Sequence, residues 1–377
     1  MINLSCKILG NTFQNPIWLG SGTITDNKGR IDKFLKSEVG ALIPRTTRFE
    51  YAPGRKLHPS YHLSINKKEK WIRNCEWTGN LINYWQPYLK ELSTTHRVIM
   101  SVSGRNIDNC LKVCKIIDNY NFPFIEINIS CAHSNEAHGF ITRNSKHISL
   151  LVKTLKKNIK TPIALKLGHS DYIVNLAKIA EKAGADAIIA INSFGPVIDF
   201  DISTGKPILT LGINNGKGGL SGKIIFHTAL TDVADLYQEL NIPIIACGGI
   251  TTPENAIKMI MAGASAVQIY SAAHIAGNKR YTFFNNFIND FRNWLNINKY
   301  TTIDEIKGLL LPIISRSHQM KKIIPHYNQT LCTKCKSCVN ICLEDAIKFS
   351  NGKIIIDKKK CIGCGACASI CPTKALK

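Results

Sequence analysis

No apolar run in this chain approaches the ~18 residues that a membrane-crossing helix requires. The opening Met1-Ile-Asn-Leu-Ser-Cys lacks the charged-then-apolar layout of a secretory leader. Both absences point to a reducing, cytoplasmic setting, with no membrane partner. No G-x-G-x-x-G follows an early strand candidate, which removes the usual dinucleotide-binding fingerprint. Acidic residues are scarce, 26 Asp and Glu against 48 Lys and Arg, for a net charge of +22. Nucleic-acid binding is the first reading of such a charge. The lysines are scattered, however, and no nucleic-acid motif accompanies them, so a nucleic-acid partner is not expected. A basic docking face for an acidic redox partner accounts for the same charge.

Cysteine, by contrast, is plentiful and concentrated. Eight of the fourteen fall in the last 46 residues, in two copies of one spacing. Cys332, Cys335, Cys338 and Cys342 read C-x2-C-x2-C-x3-C; Cys361, Cys364, Cys367 and Cys371 repeat it and run into Pro372. This is the ligand pattern of a ferredoxin with two [4Fe-4S] clusters. In it a tight loop supplies three thiolates to a cluster and the other motif supplies the fourth. Cys332, Cys335, Cys338 and Cys371 are thus assigned to one cluster, and Cys361, Cys364, Cys367 and Cys342 to the other. Zinc sites more usually come as two separated C-x2-C pairs. Residues 321–377 hold eleven lysines against three acidic residues, much of which offsets the charge of eight thiolates. The chain therefore handles single electrons.

The first 320 residues alternate short apolar runs with helical stretches. Strand candidates lie near Ile17–Leu19 and at Ala41–Ile43, Val98–Val102, Phe124–Ile129, Ile163–Leu167, Ala187–Ile191, Ile244–Cys247 and Ala266–Ile269. Helical stretches such as Asn175–Ala183, Ala229–Leu240 and Glu254–Ala262 separate them, which implies a parallel sheet. A quasi-repeat recurs at Val39-Gly-Ala-Leu-Ile, Ala183-Gly-Ala-Asp-Ala and Ala262-Gly-Ala-Ser-Ala. It is read as a helix ending at a glycine, then a turn into a buried strand. About eight strands in about 300 residues fit an α/β fold of the (β/α)8 barrel type. A doubly wound open sheet is the runner-up. The expected domains are the barrel at 1–324 and a C-terminal two-cluster ferredoxin-like domain at 325–377.

Barrel chemistry sits on the loops after the strands. After the seventh and eighth strands come Gly248-Gly249 and Tyr270-Ser271, where backbone N–H groups and a hydroxyl suit a phosphate. The glycine-rich Gly216–Gly222 is read as a loop wrapping the same cofactor. After the fourth strand come Asn128-Ile129-Ser130-Cys131; Lys166 ends the fifth, and Asn192-Ser193 follow the sixth. Asn and Ser suit a ring with alternating N–H and C=O groups. Cys131 is either a proton-transfer group or a small buried thiol. Cys6, Cys75, Cys110, Cys114 and Cys247 are read as structural.

Gly20-Ser-Gly-Thr, Asn128-Ile-Ser-Cys, Ala164-Leu-Lys-Leu, Asn192-Ser, Gly218-Gly-Leu-Ser-Gly, Ala246-Cys-Gly-Gly-Ile and Val267-Gln-Ile-Tyr-Ser occur in that order. With them the chain, from about Asn15 to its end, resembles the dihydroorotate dehydrogenase and dihydropyrimidine dehydrogenase superfamily. Its two-cluster tail most resembles the catalytic subunit of bacterial NAD-dependent dihydropyrimidine dehydrogenase. The resemblance implies FMN in the barrel, held by Gly20, Ser21, Arg45, Lys166, Gly222, Gly248, Gly249, Tyr270 and Ser271. It implies Cys131 as the catalytic residue moving a proton at pyrimidine C5, with Asn128, Asn192 and Ser193 holding the ring, and Asn74 as a further substrate ligand. The family often has Lys where Arg45 stands, and Pro where Ala132 follows Cys131. His133 then favours the dihydropyrimidine branch, although Ser134–Asn144 lacks that branch's glycine-rich lid.

Three readings follow. The first is a flavin enzyme acting on the 5,6 bond of uracil or thymine and their dihydro forms. The second is dihydroorotate dehydrogenase, whose substrate carboxylate requires a cation or a helix N-terminus near the ring. The third is a non-enzymatic electron-transfer module. The expected partners are a pyrimidine-like substrate and a separate FAD/NAD(P)-binding subunit or soluble carrier, with a homodimer suggested by the family.

Overall fold

A computed structural model describes residues 2–51, 60–65, 70–75, 79–130, 144–209, 216–314 and 322–377. The chain forms two compact units, Met1–Pro312 and Ile313–Lys377. Strands in the first are β1 (Cys6–Ile8), β2 (Asn11–Phe13), β3 (Ile17–Leu19), β4 (Ser60–Ile65), β5 (Lys70–Cys75), β6 (Met100–Val102), β7 (Ile125–Asn128), β8 (Ile163–Leu167), β9 (Ala187–Ala190), β10 (Phe194–Ile198), β11 (Lys217–Gly222), β12 (Ile244–Cys247) and β13 (Ala266–Ile269). The second unit carries β14 (Ile347–Ser350) and β15 (Lys353–Ile356). Among the described residues no helix is long and apolar enough to cross a membrane.

Seven strands form one parallel sheet in the order β3-β13-β12-β9-β8-β7-β6. The eighth expected strand, Ala41–Ile43, contracts to a single bridging residue. Leu42 pairs with Leu19 on one side and with Val98 on the other. Its N–H donates to the Arg97 carbonyl at 2.8 Å and its carbonyl accepts from Ile99 at 3.0 Å. The sheet thus closes into the expected barrel.

Side chains alternate along each strand as the pleat requires. On β8, Ile163, Leu165 and Leu167 join the core shared with the helices, whereas Ala164 joins the inner cluster. On β9, Ile188 and Ala190 face the helices while Ala187 and Ile189 join the inner cluster. The β1-β2 hairpin contributes Cys6, Ile8 and Phe13 to that inner cluster, with Phe13 and Trp18 rings 4.6 Å apart. Small residues at Ala41, Ala164, Ala187 and Ala266 leave room for these bulky ones.

Two expectations need correction. Gly216–Gly222 is not a loop: its residues 217–222 form β11, in an antiparallel sheet ordered β10-β11-β5-β4, although its Ser221 does line the barrel cleft. Glycines weakened the strand signal there, since the sequence offers little side-chain alternation to read. The quasi-repeat also has two causes rather than one. Gly184 (φ +105) and Gly263 (φ +110) are left-handed caps after helices Ile173–Ala183 and Pro253–Met261. Gly40 instead lies beyond the helix Lys28–Leu35, and a Cβ there would sit 2.1 Å from the Asn15 carbonyl oxygen. Close approach of two backbones, not a helix cap, requires that glycine.

The second unit is built of two similar halves. Each cysteine motif leads into a short helix, Ser337–Asn340 and Ala366–Ile370, and β14 pairs with β15 in a hairpin. Lys334 and Lys336 occupy left-handed conformations (φ +60 and +58) at the places where the second motif has Gly363 and Gly365 (φ +78 and +75).

Candidate active site and cluster cavities

A cleft with about 1070 Å³ of free space, counting its open mouth, lies at the C-terminal ends of the barrel strands. It gathers most of the residues singled out above. Gly20, Ser21 and Arg45 come from the first two strand ends; Asn128, Lys166, Asn192 and Ser193 from the middle ones; and Gly248, Gly249, Tyr270 and Ser271 from the last two. Gly222 does not line it. Asn74 lies in β5 opposite Gly219 of β11, and its side chain lies outside the described residues. Cys131, Ala132-His133 and residues 134–143 also lie outside them.

The cleft floor is a polar network that the sequence reading missed. Inward positions of β7, β8 and β13 carry Glu126, Lys166 and Gln268, which are 0%, 3% and 1% exposed. Lys166 Nζ donates to Gln268 Oε1 at 3.0 Å and lies 3.5 Å from Glu126 Oε1. Gln268 Nε2 donates to Glu126 Oε2 at 2.9 Å, and Ser101 Oγ donates to Oε1 at 2.8 Å. Thr46 links this floor to the rim, bonding Ser101 Oγ at 2.9 Å and accepting from Asn128 Nδ2 at 2.9 Å. Its own N–H donates to Ser21 Oγ at 3.0 Å. Cys247, read as merely structural, also lines the cleft. Burial pushes its thiol pKa up, a shift that Lys166 opposes. Alternation was the available signal. In Ile125-Glu-Ile-Asn and Val267-Gln-Ile the polar residues take every second place, so they point away from the helix-facing side.

Asn128, Ser130 and Asn192 hold one another. Asn128 Oδ1 accepts from Ser130 Oγ at 3.1 Å, and Asn192 Nδ2 donates to Ser130 Oγ at 3.0 Å. Amide and hydroxyl groups fixed in this way can read the edge of a polar ring without reorganising.

The Gly20–Thr23 segment folds over Tyr270, so closely that a Cβ on Gly22 would lie 2.0 Å from its ring. The Tyr270 hydroxyl accepts from the Thr23 N–H at 3.1 Å, lies 2.7 Å from Thr23 Oγ1 and shares a 3.1 Å hydrogen bond with His274 Nδ1. Burial, with a smaller contribution from Arg280, lowers the His274 pKa. The folded state therefore favours neutral His274. As pH falls through the ordinary histidine value, about 6.5, the unfolded chain takes up a proton that the folded chain does not, and stability declines until the lowered folded value is passed. In His274→Gln this part of the pH dependence should vanish. Urea midpoints measured from pH ~8 down to pH ~5 would show it; an unchanged slope would assign the dependence elsewhere.

The Gly248-Gly249 turn has φ values of +112 and +73. A Cβ on Gly249 would lie 2.4 Å from Phe226 Cα, at the start of the helix Phe226–Glu239. Ser271 Oγ donates to Ser221 Oγ at 3.1 Å beside this turn in the cleft lining. Bare backbone where a side chain cannot fit, paired hydroxyls and a buried cation fit a phosphate-bearing flavin.

In the second unit the eight cysteines sort into two cavities. One, with about 330 Å³ of free space, is lined by Cys332, Cys335, Cys338 and Cys371. The other, with about 430 Å³, is lined by Cys342, Cys361, Cys364 and Cys367. The fourth cysteine of each motif thus lies with the other motif's first three. The Lys334 N–H donates to Cys332 Sγ at 3.4 Å and the Ala375 N–H to Cys371 Sγ at 3.2 Å. All-thiolate donor sets with amide support fit iron–sulfur clusters.

Comparison with known proteins agrees with this geometry. The dihydroorotate dehydrogenase family profile matches residues 3–290, and a 4Fe-4S binding domain profile matches residues 354–377. The chain is 30% identical over 322 residues to "Dihydroorotate dehydrogenase B (NAD(+)), catalytic subunit" of Methanocaldococcus jannaschii, covering 81% of this chain and 97% of that protein. The identically named protein of Pyrococcus furiosus is 30% identical over 312 residues, covering 82% and 99%. That of Petrotoga mobilis is 30% identical over 316 residues, covering 82% and 100%. These names favour the second of the three readings above over the first. The chain belongs to the dihydroorotate dehydrogenase family and is a flavin and iron–sulfur oxidoreductase acting on a CH–CH bond.

Proposed function

We propose that this protein oxidises dihydroorotate to orotate, using FMN in the barrel cleft and passing electrons through two [4Fe-4S] clusters to a separate NAD-linked subunit or a soluble carrier. The observation that carries the choice of ring is charge. Arg45 and Arg48 both line the cleft, as does Lys166. A carboxylate-bearing ring suits two guanidinium groups; uracil and thymine carry no anion that would. The names of the relatives support the same ring, and their designation as catalytic subunits supports a partner. The two four-cysteine cavities support two clusters, and three of the second cavity's cysteines, Cys361, Cys364 and Cys367, lie within the matched 4Fe-4S segment.

In this reading Asn128, Asn192 and Ser193 hold the ring edge, and Arg48 with Arg45 orients its carboxylate. Lys166 stabilises the negative charge of the reduced cofactor. Gly248, Gly249, Tyr270 and Ser271 surround the phosphate. FMN held there would supply the exchange between a hydride equivalent and single electrons. Cys131 takes the proton from C5, a role that rests on the family resemblance.

Anaerobic addition of dihydroorotate, dihydrouracil and dihydrothymine, each alone, tests the assignment by the bleaching of flavin and cluster absorbance. Bleaching by dihydroorotate alone is the expected result. Bleaching only by the two neutral rings would restore the dihydropyrimidine reading. Cys131→Ala should keep its FMN but lose roughly 10²–10⁴-fold in turnover; full turnover would remove the thiol from the reaction.

A further inference from the structure

The two cysteine cavities have the same donor set but different surroundings. The cavity of Cys332, Cys335, Cys338 and Cys371 is lined by one cation, Lys336, and by the hydroxyl-bearing Tyr327, Thr333, Ser337 and Thr373. Among the described residues, the cavity of Cys342, Cys361, Cys364 and Cys367 is lined by one anion, Glu344, and otherwise by apolar residues such as Leu343, Ile362 and Ala366, with no hydroxyl group. A cation and hydrogen-bond donors favour the more negative, reduced state of a cluster; a carboxylate and an apolar wall disfavour it.

The backbone supplies a second observation. Lys334 and Lys336 stand left-handed where the equivalent positions of the other motif are Gly363 and Gly365. An L side chain reaches that conformation only with strain. Lysine at these places therefore has a local conformational cost that glycine avoids, and its charge is what it adds. Lys336 Nζ lies 5.0 Å from the centroid of Phe349, which packs against the core of this unit. Lys358, Lys359 and Lys360 precede Cys361 but line neither cavity, whereas Lys336 and Glu344, although exposed as well, each form part of a cavity wall.

We propose that these residues set the clusters at different potentials, with the Cys332–Cys335–Cys338–Cys371 cluster the higher. The first of two electrons leaving the cofactor then comes to rest there, and the second on the cluster beside Glu344. Each step reduces one cluster by one electron. The inference rests on the two-cluster part of the proposed function.

The test is a mediated anaerobic reduction of the full-length holoprotein, followed by electron paramagnetic resonance, with iron counted in parallel. About eight irons per chain are expected from two cubanes, and cluster reduction should appear as two separate waves. Lys336→Gln should shift the upper wave to lower potential and leave the lower wave in place. Lys336→Gly, which also relieves the left-handed strain, should do the same, tying the shift to charge rather than backbone. Glu344→Gln should raise only the lower wave. A single wave with eight irons would overturn the asymmetry while sparing the two-cluster reading, as would a Lys336 variant that moves the lower wave. Four irons per chain would remove both.

Discussion

Lys166→Met should destabilise the barrel by roughly 3–5 kcal/mol, the usual cost of leaving one member of a buried ion pair alone. Lys166 and Glu126 are both out of water, and with the ammonium gone the carboxylate keeps only the neutral donors Ser101 and Gln268. Burial alone pulls the Lys166 pKa down, but Glu126 and Cys247 together outweigh it and the net direction is up. The pair therefore holds throughout neutral pH. Its contribution is lost only as pH rises beyond the ordinary lysine value, about 10.4, and through the raised folded one. Urea denaturation of Lys166→Met and of Lys166→Met/Glu126→Gln separates the causes. The double variant should recover most of the stability, because no buried charge remains. It should not recover flavin reduction by dihydroorotate, which should fall about 10²–10³-fold, as when a preorganised electrostatic contact is deleted. A single variant as stable as the parent would show that the pair carries no such energy.

Gly249→Ala should be nearly as damaging and in a different way. Its added methyl would meet Phe226 Cα at 2.4 Å and Phe226 N at 2.5 Å, both backbone atoms that no rotamer change can move aside. The φ of +73 adds left-handed strain. Overpacking and strain together amount to about 2–4 kcal/mol. The turn and the helix Phe226–Glu239 must separate to relieve the clash, which widens the phosphate end of the cleft. The purified variant should emerge folded by far-ultraviolet dichroism, with a lowered melting temperature and little bound FMN. Full flavin content would mean that the Gly248-Gly249 turn does not hold the phosphate.

How much of this was legible in the sequence varied with the physics of each element. Buried parallel strands are uninterrupted apolar runs, so β8, β12 and β13 were placed residue for residue, and the cysteine spacing matches the two cavities because tight loops fix which thiols can meet. The antiparallel sheet was not foreseen. β11 is Lys-Gly-Gly-Leu-Ser-Gly, with too few side chains to show a period, and its partner β5 is far away in sequence. Glu126, Gln268 and Thr46 were missed because attention fell on residues after the strands, whereas these gain their role by facing inward from the strands or by joining two loops. Arg48 was missed for a related reason: nothing local marks a rim arginine as belonging to the cleft rather than to solvent.

The barrel joint at Leu42 has one further consequence. Neighbouring strands elsewhere in the sheet pair over three or four consecutive residues, whereas between β3 and β6 the pairing is broken into separate bridges, Leu42 to Leu19 and to Val98, and Thr47 to Val102. A closed ring opens at its thinnest joint, so local opening is easiest there. Four residues beyond Leu42, Thr46 ties Ser21 on one side of that joint to Ser101 and Asn128 on the other. Any occupant that grips both sides of the cleft acts as a clasp across the same gap. For this barrel, resistance to opening and saturation of the cleft are then a single thermodynamic quantity read from two ends.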